Sequence, residues 1–113
     1  MTGLTTHVLD TTHGRPAAGV ALRLLRDGQL LVESSTNADG RCDAPLLTGE
    51  ALTAGTYRLE FDVGDYFRRL GVGLPAPAFL ETVVIDFGVA ENAANYHVPL
   101  LVSPFAYSTY RGS

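Results

Sequence analysis

The sequence predicts an all-β domain, because short stretches that alternate between apolar and polar residues recur between Gly, Pro, Asn and Asp residues. In the clearest stretch, residues 55–63, four apolar side chains share one face and charged side chains share the other. The apolar set is Tyr57, Leu59, Phe61 and Val63. A length of 113 residues, 46% of them hydrophobic, suits one domain spanning residues 1–113.

The same pattern predicts about eight strands in an antiparallel arrangement, with one short helix. The predicted strands are residues 4–10, 19–26, 29–36, 41–46, 55–63, 80–89, 95–103 and 106–112. Asp27-Gly28 is a typical hairpin turn, and residues 37–40 indicate a second reversal. The helix is expected over residues 65–71, with Asp65 near its start and Gly71 as its end.

The predicted strand over residues 95–103 separates a core face from a second face. Its core face would carry Tyr96, Val98, Leu100 and Val102. His97 and Pro99 would lie on the opposite face. Because proline has no amide hydrogen, a ladder bond is missing at Pro99, and we expect the strand to be irregular or locally at an edge there.

Composition excludes several classes of function. A net charge of −4 disfavours a nucleic-acid partner, and the absence of lysine excludes Schiff-base and P-loop lysine chemistry. Cys42 is the one cysteine and the three histidines are scattered, so no structural zinc site is indicated and a reducing cytoplasm is expected. No apolar run reaches the roughly 18 residues of a membrane span, and no signal peptide is visible.

His7 and His97 are the candidate acid–base residues. Each lies in the middle of a predicted strand on the face opposite the core, where a polar group must meet solvent, a ligand or another subunit. Spacing alone favours a hydrogen-bonded surface histidine at each position, and the context that the two share favours a site. Arg41 follows the second reversal and could hold an oxyanion, although a plain surface arginine fits the same pattern. His13 lies in a turn segment and is interpreted as a solvated loop residue.

Three segments resemble the 5-hydroxyisourate hydrolase family in their order and spacing. They are residues 4–11 (Leu-Thr-Thr-His-Val-Leu-Asp-Thr), residues 40–47 with Gly40-Arg41-Cys42-Asp43 and Pro45-Leu46-Leu47, and residues 107–113 (Tyr-Ser-Thr-Tyr-Arg-Gly-Ser). The ending Tyr-Arg-Gly-Ser is the most specific, since hormone-carrying transthyretins share the fold but lack it. The pair Phe105-Ala106 departs from the family's commoner Tyr-Gly and puts the local turn geometry in doubt.

The resemblance implies a transthyretin-like two-sheet β-sandwich and a cofactor-free hydrolase of urate degradation, a branch of purine metabolism. The implied reaction opens the ring of 5-hydroxyisourate to give 2-oxo-4-hydroxy-4-carboxy-5-ureidoimidazoline. His7, Arg41 and His97 would be catalytic, and His7, Arg41, Tyr110 and Ser113 would bind substrate; no metal is implied. The family architecture implies a homotetramer whose sites lie at subunit interfaces. The composition adds the expectation of a cytoplasmic protein without a nucleic-acid or membrane partner.

Two alternative hypotheses assign the chain to other functional classes. One is a transthyretin-like small-molecule carrier without catalysis, whose apolar channel would have no use for paired histidines. The other is a structural sandwich for adhesion or assembly, which leaves the three segments unexplained.

Overall fold

Nine β-strands and two short helical segments make up residues 3–90 and 94–112, the part of the chain that the computed structural model describes. The helical segments are a 3-10 turn at Gly49–Ala51 and the helix α1 at Val63–Arg69. The strands are β1 (Gly3–Asp10), β2 (Arg15–Pro16), β3 (Ala21–Arg26), β4 (Gln29–Ser35), β5 (Leu47–Thr48), β6 (Gly55–Phe61), β7 (Val83–Val89), β8 (Tyr96–Val102) and β9 (Tyr107–Thr109).

The strands form two sheets, which confirms the predicted all-β sandwich. One sheet has the order β2-β1-β8-β9, with β5 also paired to β1, and the other has the order β4-β3-β6-β7. All neighbours are antiparallel except β1 and β8, which run parallel. The prediction of a wholly antiparallel domain was therefore wrong at this pair. These two strands are joined through most of the chain, so no hairpin dictates their direction.

The core lies between the sheets and under α1, as the alternation predicts. Along β1 every second residue is buried, and the inner face of β8 carries the four apolar residues expected there. The largest fully buried side chains are Tyr57, Phe61, Phe67, Leu4, Leu22, Leu24, Leu52, Leu59 and Leu100. Val63 is buried too, but it begins α1 rather than ending β6. No helix among the described residues is long and apolar enough to cross a membrane.

The predicted hairpin turn and the predicted end of the helix are confirmed. Asp27 and Gly28 have φ values of 53° and 75°, the left-handed pair that a two-residue hairpin needs, and they join β3 to β4. Helix α1 starts two residues earlier than expected. Its end follows the prediction, because Gly71 has a φ of 80° and donates to the carbonyl of Arg68 at 3.0 Å.

The predicted strand over residues 41–46 was wrong. The chain instead makes an isolated bridge at Arg41 and then the two-residue strand β5. The last strand is also shorter than expected, because β9 ends at Thr109 and pairing resumes at Gly112. Both segments are backbone-paired beside the candidate histidines, the first along the edge of β1 and the second along the edge of β8.

Candidate functional site

The two candidate histidines meet on the outer face of the β1–β8 pair. The parallel register aligns Thr5 with His97 and His7 with Pro99, so that the imidazoles lie side by side. Nδ1 of His7 lies 2.6 Å from Nε2 of His97, and the rings stack with centroids 4.8 Å apart at 20°. Both side chains are half-buried. The structure thus brings together two residues that are 90 positions apart in the sequence.

The surroundings of the pair favour neutral imidazoles. Burial lowers the pKa of His7 below 6.5, and the positive charge of Arg41 lowers it further. Burial likewise lowers the pKa of His97, with contributions from His7 and Arg41. A neutral imidazole has a lone pair for a proton, so this pair is prepared to act as a general base near neutral pH.

The turn before Arg41 sets the position of that residue. The side-chain oxygen of Asn37 accepts hydrogen bonds from the amides of Asp39 at 2.9 Å and Arg41 at 3.2 Å. Gly40 has a φ of 74°, and its carbonyl accepts a hydrogen bond from the amide of Val8 at 2.8 Å. This contact docks the turn against β1, so that the backbones of Arg41 and His7 form an isolated antiparallel β-bridge.

The Arg41 side chain is exposed and makes no hydrogen bond to any residue that the structure describes. It lines a depression of about 160 Å³ together with Thr5, Thr6 and residues 42–45. A guanidinium with unused donors beside two neutral imidazoles can bind a carbonyl oxygen that gains negative charge. This arrangement can therefore combine a base with an oxyanion-stabilising group.

The carboxy-terminal segment packs beside His97. The amide of Gly112 donates to the carbonyl of His97 at 2.7 Å. Opposite Pro99 the ladder between β8 and β9 lapses, which confirms the irregularity expected from the missing amide hydrogen, although β8 itself is continuous and lies inside the sheet. The hydroxyl of Thr109 donates to the carbonyl of Pro99 at 2.7 Å.

Tyr110 follows β9 directly and lines a depression of about 200 Å³ together with Tyr96 and Val98 of β8. Continuing the register from Leu100 and Thr109 by one step puts Tyr110 opposite Pro99. Its side chain is 57% exposed and makes no hydrogen bond with the described residues. Ser113, the other predicted binding residue, lies outside the described residues.

Sequence reasoning missed two side-chain hydrogen-bond contacts of β1. Thr5 Oγ1 lies 2.8 Å from Nδ1 of His97, a contact that depends on the parallel pairing of β1 with β8. His13 is more than a solvated loop residue, because its Nδ1 lies 2.5 Å from the buried Asp10 carboxylate. The hydroxyl of Tyr66 also donates to Asp10 at 2.8 Å, so this cluster ties the end of β1 to α1.

Metal ligation is not indicated by the described part of the chain. Across residues 3–90 and 94–112, no three His, Cys, Asp or Glu side chains come together in a group suited to hold a metal ion. His7 and His97 bond to each other rather than pointing two free nitrogens at one centre.

Comparison with solved structures finds the same fold. The structure of Klebsiella pneumoniae 5-hydroxyisourate hydrolase has a TM-score of 0.85 and 39% identity, covering 100% of both chains. The structure of sea bream transthyretin in complex with thyroxine has a TM-score of 0.84 and 32% identity, covering 97% of this chain and 94% of that one. The structure of (S)-allantoin synthase has a TM-score of 0.94 and 42% identity. The match covers 99% of this chain but 44% of that longer chain.

Sequence comparison defines the family. A protein named 5-hydroxyisourate hydrolase from Ralstonia nicotianae is 59% identical, with 97% of both chains covered. The sequence profile described as the HIUase/Transthyretin family matches residues 4–112, which include both histidines and Arg41. By its sequence, its two-sheet fold and its full-length relatives, the chain belongs to the HIUase/Transthyretin family.

Proposed function

We propose that this protein is a 5-hydroxyisourate hydrolase, an enzyme that opens the ring of 5-hydroxyisourate with water. The observation that carries the proposal is the hydrogen-bonded His7–His97 pair with Arg41 beside it on one sheet face. Full-length relatives and a solved structure bearing this enzyme's name support the substrate assignment. The pathway that follows is urate degradation, in purine catabolism.

The reaction needs three operations, and the site has a group for each. His7 and His97 hold a water molecule and take one of its protons while the oxygen attacks the ring carbonyl carbon. Arg41 stabilises the negative charge that develops on the carbonyl oxygen and orients the flat, polar substrate. The carbon–nitrogen bond then breaks, the proton passes to the departing nitrogen, and the carbon becomes the carboxyl group of 2-oxo-4-hydroxy-4-carboxy-5-ureidoimidazoline.

Tyr110 and Ser113 complete the proposed site by hydrogen bonding to the substrate. The exposure of the Tyr110 phenol and the continued register, which puts Tyr110 opposite Pro99, support its part in this assignment. The proposed assembly is a cytoplasmic homotetramer in which the outer faces of two such sheets meet. An open sheet face is not a pocket by itself, and a facing subunit would turn it into a cleft that encloses the substrate.

A transthyretin-like carrier without catalysis is the alternative within the family. Sea bream transthyretin shares the fold and was solved with thyroxine, so the fold alone does not separate the two functions. The side chains of the site favour one of them, because an apolar ligand gains nothing from two half-buried, neutral imidazoles and a guanidinium that makes no hydrogen bond to the described residues. These side chains favour the hydrolase.

The direct test is to follow the ultraviolet absorbance of 5-hydroxyisourate, generated in situ from urate by urate oxidase, with and without the purified protein. We expect the protein to accelerate the decay in proportion to its concentration. Decay at the uncatalysed rate, at protein concentrations equal to those of an active hydrolase control, would contradict the proposal and favour the carrier.

A further inference from the structure

A chain of hydrogen bonds links the hydroxyl of Thr5 to both imidazoles. Thr5 Oγ1 lies 2.8 Å from Nδ1 of His97, and Nε2 of His97 lies 2.6 Å from Nδ1 of His7. Three of the four ring nitrogens therefore have partners among the described residues. The fourth, Nε2 of His7, has none there and is free to meet a water molecule.

Counting hydrogens leaves two arrangements for this chain. Each neutral imidazole carries one hydrogen, and the bond between the rings must contain one hydrogen. In the first arrangement Thr5 donates to His97, His97 donates to His7, and Nε2 of His7 carries a hydrogen and cannot accept a proton. In the second, Nδ1 of His97 donates to the Thr5 oxygen and Nδ1 of His7 donates to His97, so that Nε2 of His7 keeps its lone pair.

We propose that Thr5 is a positioning residue whose hydroxyl oxygen accepts the hydrogen of His97 Nδ1 and so holds the pair in the second arrangement, with Nε2 of His7 as the base. This inference rests on the proposed hydrolase function and assigns the base within it. When Nε2 takes a proton from the attacking water, a hydroxide equivalent is left for the carbonyl carbon. The positive charge is then shared across the Nδ1–Nε2 bond until the proton passes to the departing nitrogen.

The position of Thr5 fits this role and the neighbouring threonine does not. The β1–β8 register places Thr5 directly opposite His97, on the half-buried outer face. Thr6 points inward, and its hydroxyl donates to the carbonyl of Val98 at 2.6 Å. The hydroxyl of Thr5 makes no bond to the backbone of the described residues, so both its hydrogen and its lone pairs are available to Nδ1 of His97. Of the two arrangements that this allows, only the one in which the Thr5 oxygen accepts leaves a lone pair on Nε2 of His7, as the proposed hydrolysis requires.

Few charged or titratable groups other than His7 and His97 themselves face the histidine pair and could influence its protonation. Arg41 faces it with a positive charge, which opposes protonation of either ring. Asp43 lines the same depression, but its carboxylate accepts a hydrogen bond from Asn37 at 2.9 Å. On the β9 side Tyr110 lies opposite Pro99, and Gly112 lies opposite His97 without a titratable side chain.

The test combines nitrogen NMR with two substitutions at Thr5 and one control substitution. Nitrogen-15 shifts of the imidazoles report which ring nitrogens carry hydrogen, and the chain has three histidines, so assignment by single substitution is simple. Thr5→Val keeps the shape of the side chain and removes the hydroxyl, whereas Thr5→Ser keeps the hydroxyl. Thr11→Val is the matched control, because it removes a hydroxyl that donates to the carbonyl of Val102 at 3.0 Å, away from the pair.

At neutral pH we expect the unchanged protein to show His7 with hydrogen on Nδ1 and a bare Nε2. Thr5→Val should lower kcat by at least about tenfold, change KM little and shift the acid limb of the pH profile to lower pH. The shift follows because the protonated pair loses the acceptor for His97 Nδ1–H. Thr5→Ser and Thr11→Val should stay within about twofold of the unchanged protein in kcat.

Two results would overturn the role of Thr5: hydrogen on Nε2 of His7 in the unchanged protein, or full kcat with an unchanged pH profile in a folded Thr5→Val variant. Because the NMR measurement needs neither the Thr5→Val variant nor substrate, it decides the tautomer even if Thr5→Val fails to fold. An unchanged protein with no hydrolase activity would instead refute the proposed function. The ring-nitrogen shifts, compared between the unchanged protein and Thr5→Val, would still show separately whether Thr5 sets the tautomer.

Discussion

Gly112 lies so close to His97 that position 112 has no room for a side chain. A Cβ atom there would lie 2.6 Å from Cδ2 of His97 and 3.2 Å from its Cβ and Cγ. Together with the bond from the Gly112 amide to the His97 carbonyl, this contact fixes the imidazole from the β9 side. The close contact with His97 thus explains sterically why a glycine occupies position 112 of the Tyr-Arg-Gly-Ser segment.

Gly112→Ala should therefore lower hydrolysis of 5-hydroxyisourate by about tenfold to a hundredfold, because displacing the ring by a fraction of an ångström misaligns the base. The φ of Gly112 is not in the left-handed region, so the effect should be steric and the fold should persist. Gly88→Ala is the control, since a Cβ at that position meets nothing within 4 Å. Equal activity of the two variants in the ultraviolet assay would contradict the contact.

Gly40→Ala should lower the free energy of unfolding by about 2–4 kcal/mol. The left-handed φ of 74° penalises a side chain, and a Cβ would lie 2.5 Å from the carbonyl oxygen of Val8. Gly14→Ala separates the two effects, because Gly14 has a φ of 67° with nothing within 4 Å. Urea unfolding should show the larger loss for Gly40→Ala, and equal losses would mean that the docking of the turn on β1 contributes nothing.

The pH dependence of kcat/KM should reflect the lowered pKa values of the histidine pair. Both pKa values lie below 6.5, so the base stays unprotonated as the pH falls through 6.5, and activity should decline only at lower pH. Arg41→Gln removes the positive charge and should move the inflection of its residual activity up toward 6.5. Arg58→Gln, which alters an exposed pair with Asp86 on the other sheet, should leave the inflection unchanged. An inflection above 6.5 in the unchanged protein would refute this account.

Extensions of the two chain ends should differ in their effect. A peptide fused after Ser113 follows directly on Gly112 and Tyr110, so it should impair activity by about tenfold or more. The same peptide added before Met1 should have little effect, because His7 lies well inside β1. The two fusions are compared in the ultraviolet assay at equal concentration. Equal activity would show that the carboxy-terminal segment is not part of the site.

The sequence predicts which strand face each histidine occupies better than it predicts how the strands come together. Alternation within β1 and β8 places His7 and His97 on outer faces, because the side-chain period of a strand is local. Their contact depends on a parallel pairing of strands distant in the chain, which local patterns do not specify. The contacts of Thr5 and Gly112 with His97 depend on that same pairing and on the return of the chain end, so only the folded chain shows them.

Arg41 was found through a resemblance, and the structure supplies a physical reason for its place. A surface arginine after a turn fits many proteins, but the close approach of Gly40 to Val8 puts this one against His7. The predicted strand over residues 41–46 failed for the same reason. Once Asn37 and Gly40 have fixed the turn on β1, the chain pairs with β1 at Arg41, leaves the ladder over residues 42–45 and pairs again only from Leu46.

The central claim is that the imidazoles of His7 and His97 and the guanidinium of Arg41 act on one water and one carbonyl. The most direct measurement compares the decay of 5-hydroxyisourate with the unchanged protein, His7→Ala and Arg41→Ala, after size-exclusion chromatography has shown that all three keep the same assembly. We expect each substitution to lower the rate by about a hundredfold or more. Near-full turnover by either variant would remove that residue from the mechanism.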